Sequence, residues 1–287
     1  QAFEDLFKDP DRPKITLEND VDDAARPARF EYITKSILGE GVQEPDPEFA
    51  SYCNCKPGTC SVENGCACMI EAAEVTENAI VPFEPDGRVS EKASKLLWEC
   101  NSKCGCGSEC ISKASQKGRM FALKIKRFPG KGWGVILNQR EPIPPRTFVS
   151  TYVGEIITTQ EADMRDQDWL FDLDFNPEQK AKYAVDACHQ GNESHFFNHS
   201  CDPNMSVYMI GGNMAGGADI LTLSFWSNRW IREGDELTFD YKGKFKPSWW
   251  PSSYEDQDAD MEESEIAEDG KKRKRCLCGA HNCRKWI

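Results

Sequence analysis

"FFNHSCDPN", residues 196–204, sets Asn198, His199 and Cys201 between two phenylalanines and a Cys-Asp-Pro-Asn turn. The chain has only 4 histidines, and one of them falls here. A cysteine and a histidine this close are a nucleophile with its base, part of a metal site, or an ordinary loop. The choice depends on what the remaining cysteines do.

There are 14 cysteines in 287 residues. Cys53, Cys55, Cys60, Cys66 and Cys68 form one group, Cys100, Cys104, Cys106 and Cys110 a second, and Cys276, Cys278 and Cys283 a third, with Cys188 and Cys201 apart. The N-terminus "QAFEDLFKDP" is acidic and no apolar run reaches membrane-spanning length, so an intracellular address with reduced thiols is expected. The first residue is Gln1 rather than methionine, which suggests a piece of a longer protein with domains upstream.

Metal is then the expected partner of the thiols. The first two groups supply nine cysteines and no histidine, in tight C-x-C pairs. Three tetrahedral zinc ions offer about twelve ligand positions, which nine thiolates fill when three of them bridge. A two-zinc site with a spare thiol and a disulfide-rich secreted module are the alternatives. The third group is one thiolate short of a tetrahedral site. Cys201, in its rigid turn, suits the fourth position better than Cys188 in "VDACHQG", and His281 competes from inside the group. A ligated Cys201 is no free nucleophile, so the opening segment reads as a clamp that holds Asn198 and His199 to position something.

The formal net charge is −13, and thirteen thiolates on four Zn²⁺ would take it to about −18. Such a chain is poorly suited to direct nucleic-acid binding, which relies on Lys and Arg against phosphate. It suits a basic peptide, histone tails included. The 39% hydrophobic content is enough for a real core.

Residues 1–50 are polar and broken by prolines, with "FEYITKSIL" (30–38) expected to pack on the core. Residues 51–113 form the thiol-rich module, in which 74–91 reads as a loop and "EKASKLLW" (91–98) as a short helix. From 114 to 242 the pattern predicts a mostly β domain. "FALKIKR", "WGVIL", "TFVSTYVGEII", "DILTLSFW" and "ELTFDY" read as strands and "TQEADMRDQD" (159–168) as a helix. Residues 243–275 read as a flexible insertion, an acidic tract followed by "KKRKR", and 276–287 carry the last thiols. The basic run is read as a solvated linker before a nuclear localisation signal.

"KGWGV" (131–135), "YVGEIIT" (152–158), "FFNHSCDPN" (196–204) and "ELTFDY" (236–241), in this order, resemble the SET domain of lysine methyltransferases. The cysteine frameworks before and after them resemble the pre-SET and post-SET segments of the heterochromatin-forming, suppressor-of-variegation type, closest to fungal members. The likeness runs over residues 28–287. It implies a SET fold of short antiparallel sheets with a knot-like C-terminal threading, flanked by zinc modules with four structural zinc ions. It further implies S-adenosylmethionine as cofactor and methyl transfer to lysine nine of histone H3, up to trimethylation. The implied place of action is nuclear heterochromatin, on chromatin, by a monomer that binds no membrane.

The same resemblance assigns roles to residues. Tyr241 becomes the principal catalytic tyrosine, Tyr152 a second hydroxyl near the amine, and Phe239 the position where the family carries Phe or Tyr. Phe239 lacks a hydroxyl that would hold water there, which implies room for a third methyl group. Lys131, Gly132, Trp133, Gly134, Asn198 and His199 would build the cofactor site, with Arg127 beside it, Trp169 in place of the family's usual tyrosine, and Trp286 closing the post-SET lid. Asp172 and Asp174 would pair with an arginine flanking the target lysine, the peptide adding as a strand to a sheet edge. His195 stands where relatives commonly have arginine. Lys272 or Lys274 of the basic run, tethered near the channel, would be open to self-methylation or would occlude it. The alternatives are an inactive zinc scaffold that binds histone tails, or a methyltransferase for another protein lysine.

Overall fold

Residues 12–23, 30–43, 52–76, 82–165, 168–173, 181–211, 220–242 and 274–287 are described by the structure, a computed structural model. Leu123–Phe128 and Gly132–Leu137 pair antiparallel, and Gly130 and Gly132, with φ of 70° and 95°, supply the left-handed backbone of the turn between them. Ile15–Glu18 adds parallel to Leu123–Phe128. The two-residue period sends Ile15, Leu123, Ile125, Val135 and Leu137 into the core. Lys124 and Lys126 emerge on the other face, with their Nζ atoms 2.7 and 2.6 Å from the Glu18 carboxylate.

Two four-stranded sheets complete the framework. One runs Ile37–Leu38, Glu155–Thr158, Tyr183–Asp186, Leu170–Asp172, and the other Leu96–Trp98, Met205–Gly211, Thr222–Ser227, Phe148–Thr151. "TFVSTYVGEII" is therefore two strands in different sheets, where the sequence pattern predicts one. The chain crosses between them at Tyr152, Val153 and Gly154, and a Cβ on Gly154 would run into the Asp186 carbonyl. This crossing turns Tyr152 inward, 4% exposed, at the meeting of the sheets.

"EKASKLLW" is not a helix. Leu96–Trp98 pairs parallel with Met205–Gly211, and buried Leu97 and Trp98 are held by that distant strand, which overrides local helix propensity. The helix of this region is instead Ala67–Thr76, inside the thiol module. Of the helix predicted over 159–168, one turn forms, Thr159–Ala162, capped by Thr158, whose side chain accepts the Glu161 N–H at 3.2 Å. The N-terminal segment packs on the sheets: Phe30 is buried, Glu31–Tyr32 pairs with Gln190–Gly191, and Ile37–Leu38 with Glu155 and Ile156. Asn198–His199 pairs parallel with Thr238–Phe239, which brings "FFNHSC" and "ELTFDY" side by side. Of the predicted insertion, residues 243–273 lie outside the described residues.

Candidate active site and metal centres

All nine thiols of the first two groups converge in one cluster, only Cys55 being more than marginally accessible. Zinc with bonds of about 2.3 Å in a tetrahedron sets sulfur–sulfur edges of about 3.8 Å. Cys53 lies 3.9 Å from both Cys60 and Cys100, Cys60 3.9 Å from Cys100 and 3.6 Å from Cys110, and Cys68 3.5 Å from Cys104. These spacings are far from a disulfide's ~2.05 Å. Three overlapping four-thiol sets can hold an ion: Cys53, Cys66, Cys68 and Cys100; Cys53, Cys60, Cys100 and Cys106; and Cys53, Cys55, Cys60 and Cys66. Burial pushes the Cys66 and Cys104 thiols up to about 12. A divalent cation among them supplies the charge that would stabilise the thiolates.

A separate set gathers Cys201, Cys276, Cys278 and Cys283, with Cys201 and Cys276 sulfurs 3.9 Å apart. Cys188 and His281 belong to no such set among the described residues. Around Cys201 both nitrogens of His199 are engaged. His199 Nδ1 accepts the Tyr241 N–H at 3.1 Å, and Nε2 lies 3.3 Å from Cys201 Sγ and 3.4 Å from Arg284 Nη2. The clamp and Tyr241 are thus joined through one imidazole.

Next to this joint an aromatic wall forms. Tyr152 packs on Phe171 at 5.0 Å, Phe171 on Phe239 at 5.7 Å, and Phe239 on Tyr241 at 4.8 Å, with Phe225 behind Phe239 at 4.9 Å. Both tyrosine hydroxyls are anchored on backbone: Tyr152 donates to the Trp169 carbonyl at 2.9 Å and Tyr241 to the Phe197 carbonyl at 2.7 Å. Burial raises both phenols above the ordinary tyrosine range, so they keep their protons at neutral pH. Tyr241 nevertheless keeps 41% of its surface accessible, so the wall opens outward there. Trp169 stacks on His195, 5.0 Å apart with 6° between planes, and donates to the His195 carbonyl at 3.3 Å. Burial lowers His195 to about 4, and its neutral ring reaches the Ala187 carbonyl through Nδ1 at 2.7 Å.

On the other side of Asn198 lies a cradle. Its Nδ2 donates to the Trp133 carbonyl and to Glu236 Oε1, both at 2.9 Å, which engages both amide protons and leaves Oδ1 as an acceptor. Lys131 Nζ meets the other Glu236 oxygen at 2.5 Å. A Cβ on Gly134 would come within 2.6 Å of Asn198 Nδ2, 2.7 Å of Glu236 Oε1 and 2.8 Å of the Phe128 ring, so only glycine fits. Arg127 lies 5.5 Å over the Trp133 ring and pairs with Asp22 at 3.2 Å.

The remaining expected residues are more dispersed. Trp286 bridges to Arg275 through the backbone, closing the C-terminal ribbon. Asp172 is exposed on Leu170–Asp172, the edge strand of its sheet, whereas Asp174 and Lys272 lie outside the described residues. Lys274 is paired with Asp168. Two residues of the cradle and the wall escaped the sequence reading. Glu236 opens the quoted "ELTFDY" and could have been weighed as the acid facing Lys131. Phe171 sits in "WLFDLD" beside the acids that drew attention, and only the sheet pairing puts it between Tyr152 and Phe239.

The SET domain model matches residues 132–242 and the Pre-SET motif model residues 8–113. A Schizosaccharomyces pombe protein named histone-lysine N-methyltransferase, H3 lysine-9 specific, is 36% identical over 300 residues, covering 100% of this chain and 58% of that protein. The Danio rerio histone-lysine N-methyltransferase SUV39H1-A is 35% identical over 303 residues, covering 100% of this chain and 69% of that protein. Among solved structures, KRYPTONITE in complex with mCHH DNA, an H3(1–15) peptide and SAH is similar with a TM-score of 0.72 at 28% identity, over 96% of this chain and 51% of that one. The chain thus spans a little over half the length of the first of these relatives. On the matched domains, and on likeness along its whole length to proteins of one kind, the chain belongs to the SUV39-type family of SET-domain histone-lysine N-methyltransferases.

Proposed function

We propose that this chain is a protein-lysine N-methyltransferase that uses S-adenosylmethionine to methylate lysine nine of the histone H3 tail, up to three times, in nuclear heterochromatin. The observation that carries the reading is the continuous wall Tyr152–Phe171–Phe239–Tyr241, with both hydroxyls fixed on backbone carbonyls, beside a cradle from which Gly134 withholds a side chain. When bound, S-adenosylmethionine supplies an electrophilic methyl group on a sulfonium. Lys131, Gly132, Trp133, Gly134, Asn198 and His199 would hold it, with Arg127, Trp169 and Trp286 at the margins. Nine thiols would carry three zinc ions and the Cys201 clamp one, all of them structural.

The channel residues then act on the lysine. An ordinary lysine, with a pKa near 10.4, is a cation at neutral pH and no nucleophile. Aromatic walls remove its water and favour the neutral amine. Protonated Tyr241 and Tyr152 hydroxyls orient it, and alignment of the reacting atoms accounts for much of such a rate. Phe239 offers no hydroxyl to hold a water, so the amine can turn as methyl groups accumulate. The edge strand Leu170–Asp172 suits an added peptide strand, Asp172 and Asp174 would pair with an arginine flanking the target lysine, and the acidic chain draws in a basic tail as a monomer.

An H3 tail peptide incubated with the chain and S-adenosylmethionine, beside one with its ninth lysine changed to alanine, tests the reading. Methyl transfer to the native peptide alone supports it, and equal transfer to both moves the target elsewhere. A second expected result concerns the cradle. Gly134→Ala raises KM for S-adenosylmethionine by about tenfold, a loss of ~1.4 kcal/mol, with KM for peptide much less affected. Steady-state kinetics with each substrate varied separately check this.

A further inference from the structure

Asp240 lies between Phe239 and Tyr241 and escaped the sequence reading, as did Arg284 after the last zinc-type cysteine. The structure joins them. Arg284 Nη2 donates to Asp240 Oδ1 at 2.5 Å and Nη1 to Oδ2 at 3.2 Å, a fork on a carboxylate whose side chain is only 17% exposed. The Arg284 backbone N–H reaches Cys201 Sγ at 3.3 Å. Cys201 in turn faces His199 Nε2, and His199 Nδ1 takes the Tyr241 N–H. The contacts therefore close a ring: Tyr241, His199, Cys201, Arg284, Asp240 and back to Tyr241.

This ring has a mechanical consequence. Upstream, Thr238 and Phe239 are held by strand pairing, and the Phe239 carbonyl accepts the Ser200 N–H at 3.0 Å. Past Phe239 that support ends. Among the described residues the backbone of Tyr241 is then held from the clamp by the His199 ring and the Arg284–Asp240 fork, with Arg284 Nη2 also 3.4 Å from His199 Nε2. A bidentate pair fixes direction as well as distance, which a point charge on a flexible stem does not.

We propose that Arg284 and Asp240 are positioning residues: their fork holds the 239–241 backbone on the post-SET clamp and so aims the Tyr241 hydroxyl into the channel. The clamp acts on the reaction through this pair in addition to its role in folding. The inference rests on the reading of Tyr241 as the hydroxyl that orients the amine.

The test uses the full zinc-loaded chain, an H3 tail peptide and S-adenosylmethionine, and compares Arg284→Lys, Asp240→Asn, the double variant and Tyr241→Phe. Zinc per chain, melting temperature, kcat and both KM values are measured. The expected result is unchanged zinc, a kcat lower by about tenfold to a hundredfold in each single variant of the pair, as misplacement of a reacting group produces, and KM for S-adenosylmethionine within about twofold. The double variant is expected to lose no more than the worse single, because both changes break one fork. Undiminished kcat in both single variants at full zinc overturns the proposal. A loss that tracks lost zinc overturns it too, since the pair would then only hold the clamp together. Tyr241→Phe separates the two levels: if it stays active, the reading of Tyr241 fails; if it is inactive while the pair variants are active, only the positioning claim fails.

Discussion

Tyr241→Phe reduces kcat for methyl transfer to the H3 tail peptide by about a hundredfold to a thousandfold, the range seen when a single preorganised hydrogen-bonding group is removed from a reaction centre. The ring stays in place, since its contacts with Phe239 at 4.8 Å and His199 at 5.4 Å do not involve the hydroxyl. What disappears is the O–H held 2.7 Å from the Phe197 carbonyl. Losing that bond costs about 1 kcal/mol of stability, or about 2–4 °C in melting temperature for a domain of this size. Activity and stability therefore separate. Single-turnover kinetics beside a thermal melt read both, and a kcat within about twofold of the parent would contradict the assignment.

Cys53→Ser has the largest expected effect on the fold. Cys53 belongs to all three of the four-thiol sets in the first cluster, whereas Cys55 belongs to one. Serine oxygen is a poor substitute where thiolates share ions. Structural zinc contributes about 10–16 kcal/mol per ion in small zinc modules, and the thiol cluster has little other apolar core than Met69 and Val62. Cys53→Ser therefore loses more than one equivalent of zinc, melts far below the parent, and exposes the Ala67–Thr76 helix to protease. Cys55→Ser loses less zinc and melts between the two. Metal analysis of dialysed protein decides the matter, and equal losses from the two variants would contradict the shared role of Cys53.

The metal-type clusters were the most legible part of the sequence, because a ligand set is written in residue type and spacing. The four-thiol clamp could be assembled on paper from Cys201 and the C-terminal group. The Asn198 and Gly134 neighbourhood was legible as motifs but not as a cradle, since the conflict between a Cβ and three neighbours exists only in three dimensions. Elements fixed by distant partners were misread. "EKASKLLW" has helical composition, yet Leu96–Trp98 completes a sheet because Met205–Gly211 presents an open edge to it. "TFVSTYVGEII" looks continuous, and nothing local to it reveals that Gly154 must pass the Asp186 backbone. Phe171, Glu236, Asp240 and Arg284 share this cause. Each is an ordinary residue until pairing or the clamp brings its partner.

The central claim, a lysine channel with a free space beside Phe239, is tested most directly by the mass ladder of an H3 tail peptide with the zinc-loaded chain and S-adenosylmethionine, run beside Phe239→Tyr. The account predicts that the parent carries the ninth lysine to three methyl groups and that the variant, with a hydroxyl added among Phe171, Phe225 and Tyr241, stops at fewer with little loss of the first transfer. A fully zinc-loaded parent that leaves the peptide unmodified, or a Phe239→Tyr variant that still reaches three methyl groups at the parent's pace, would contradict it.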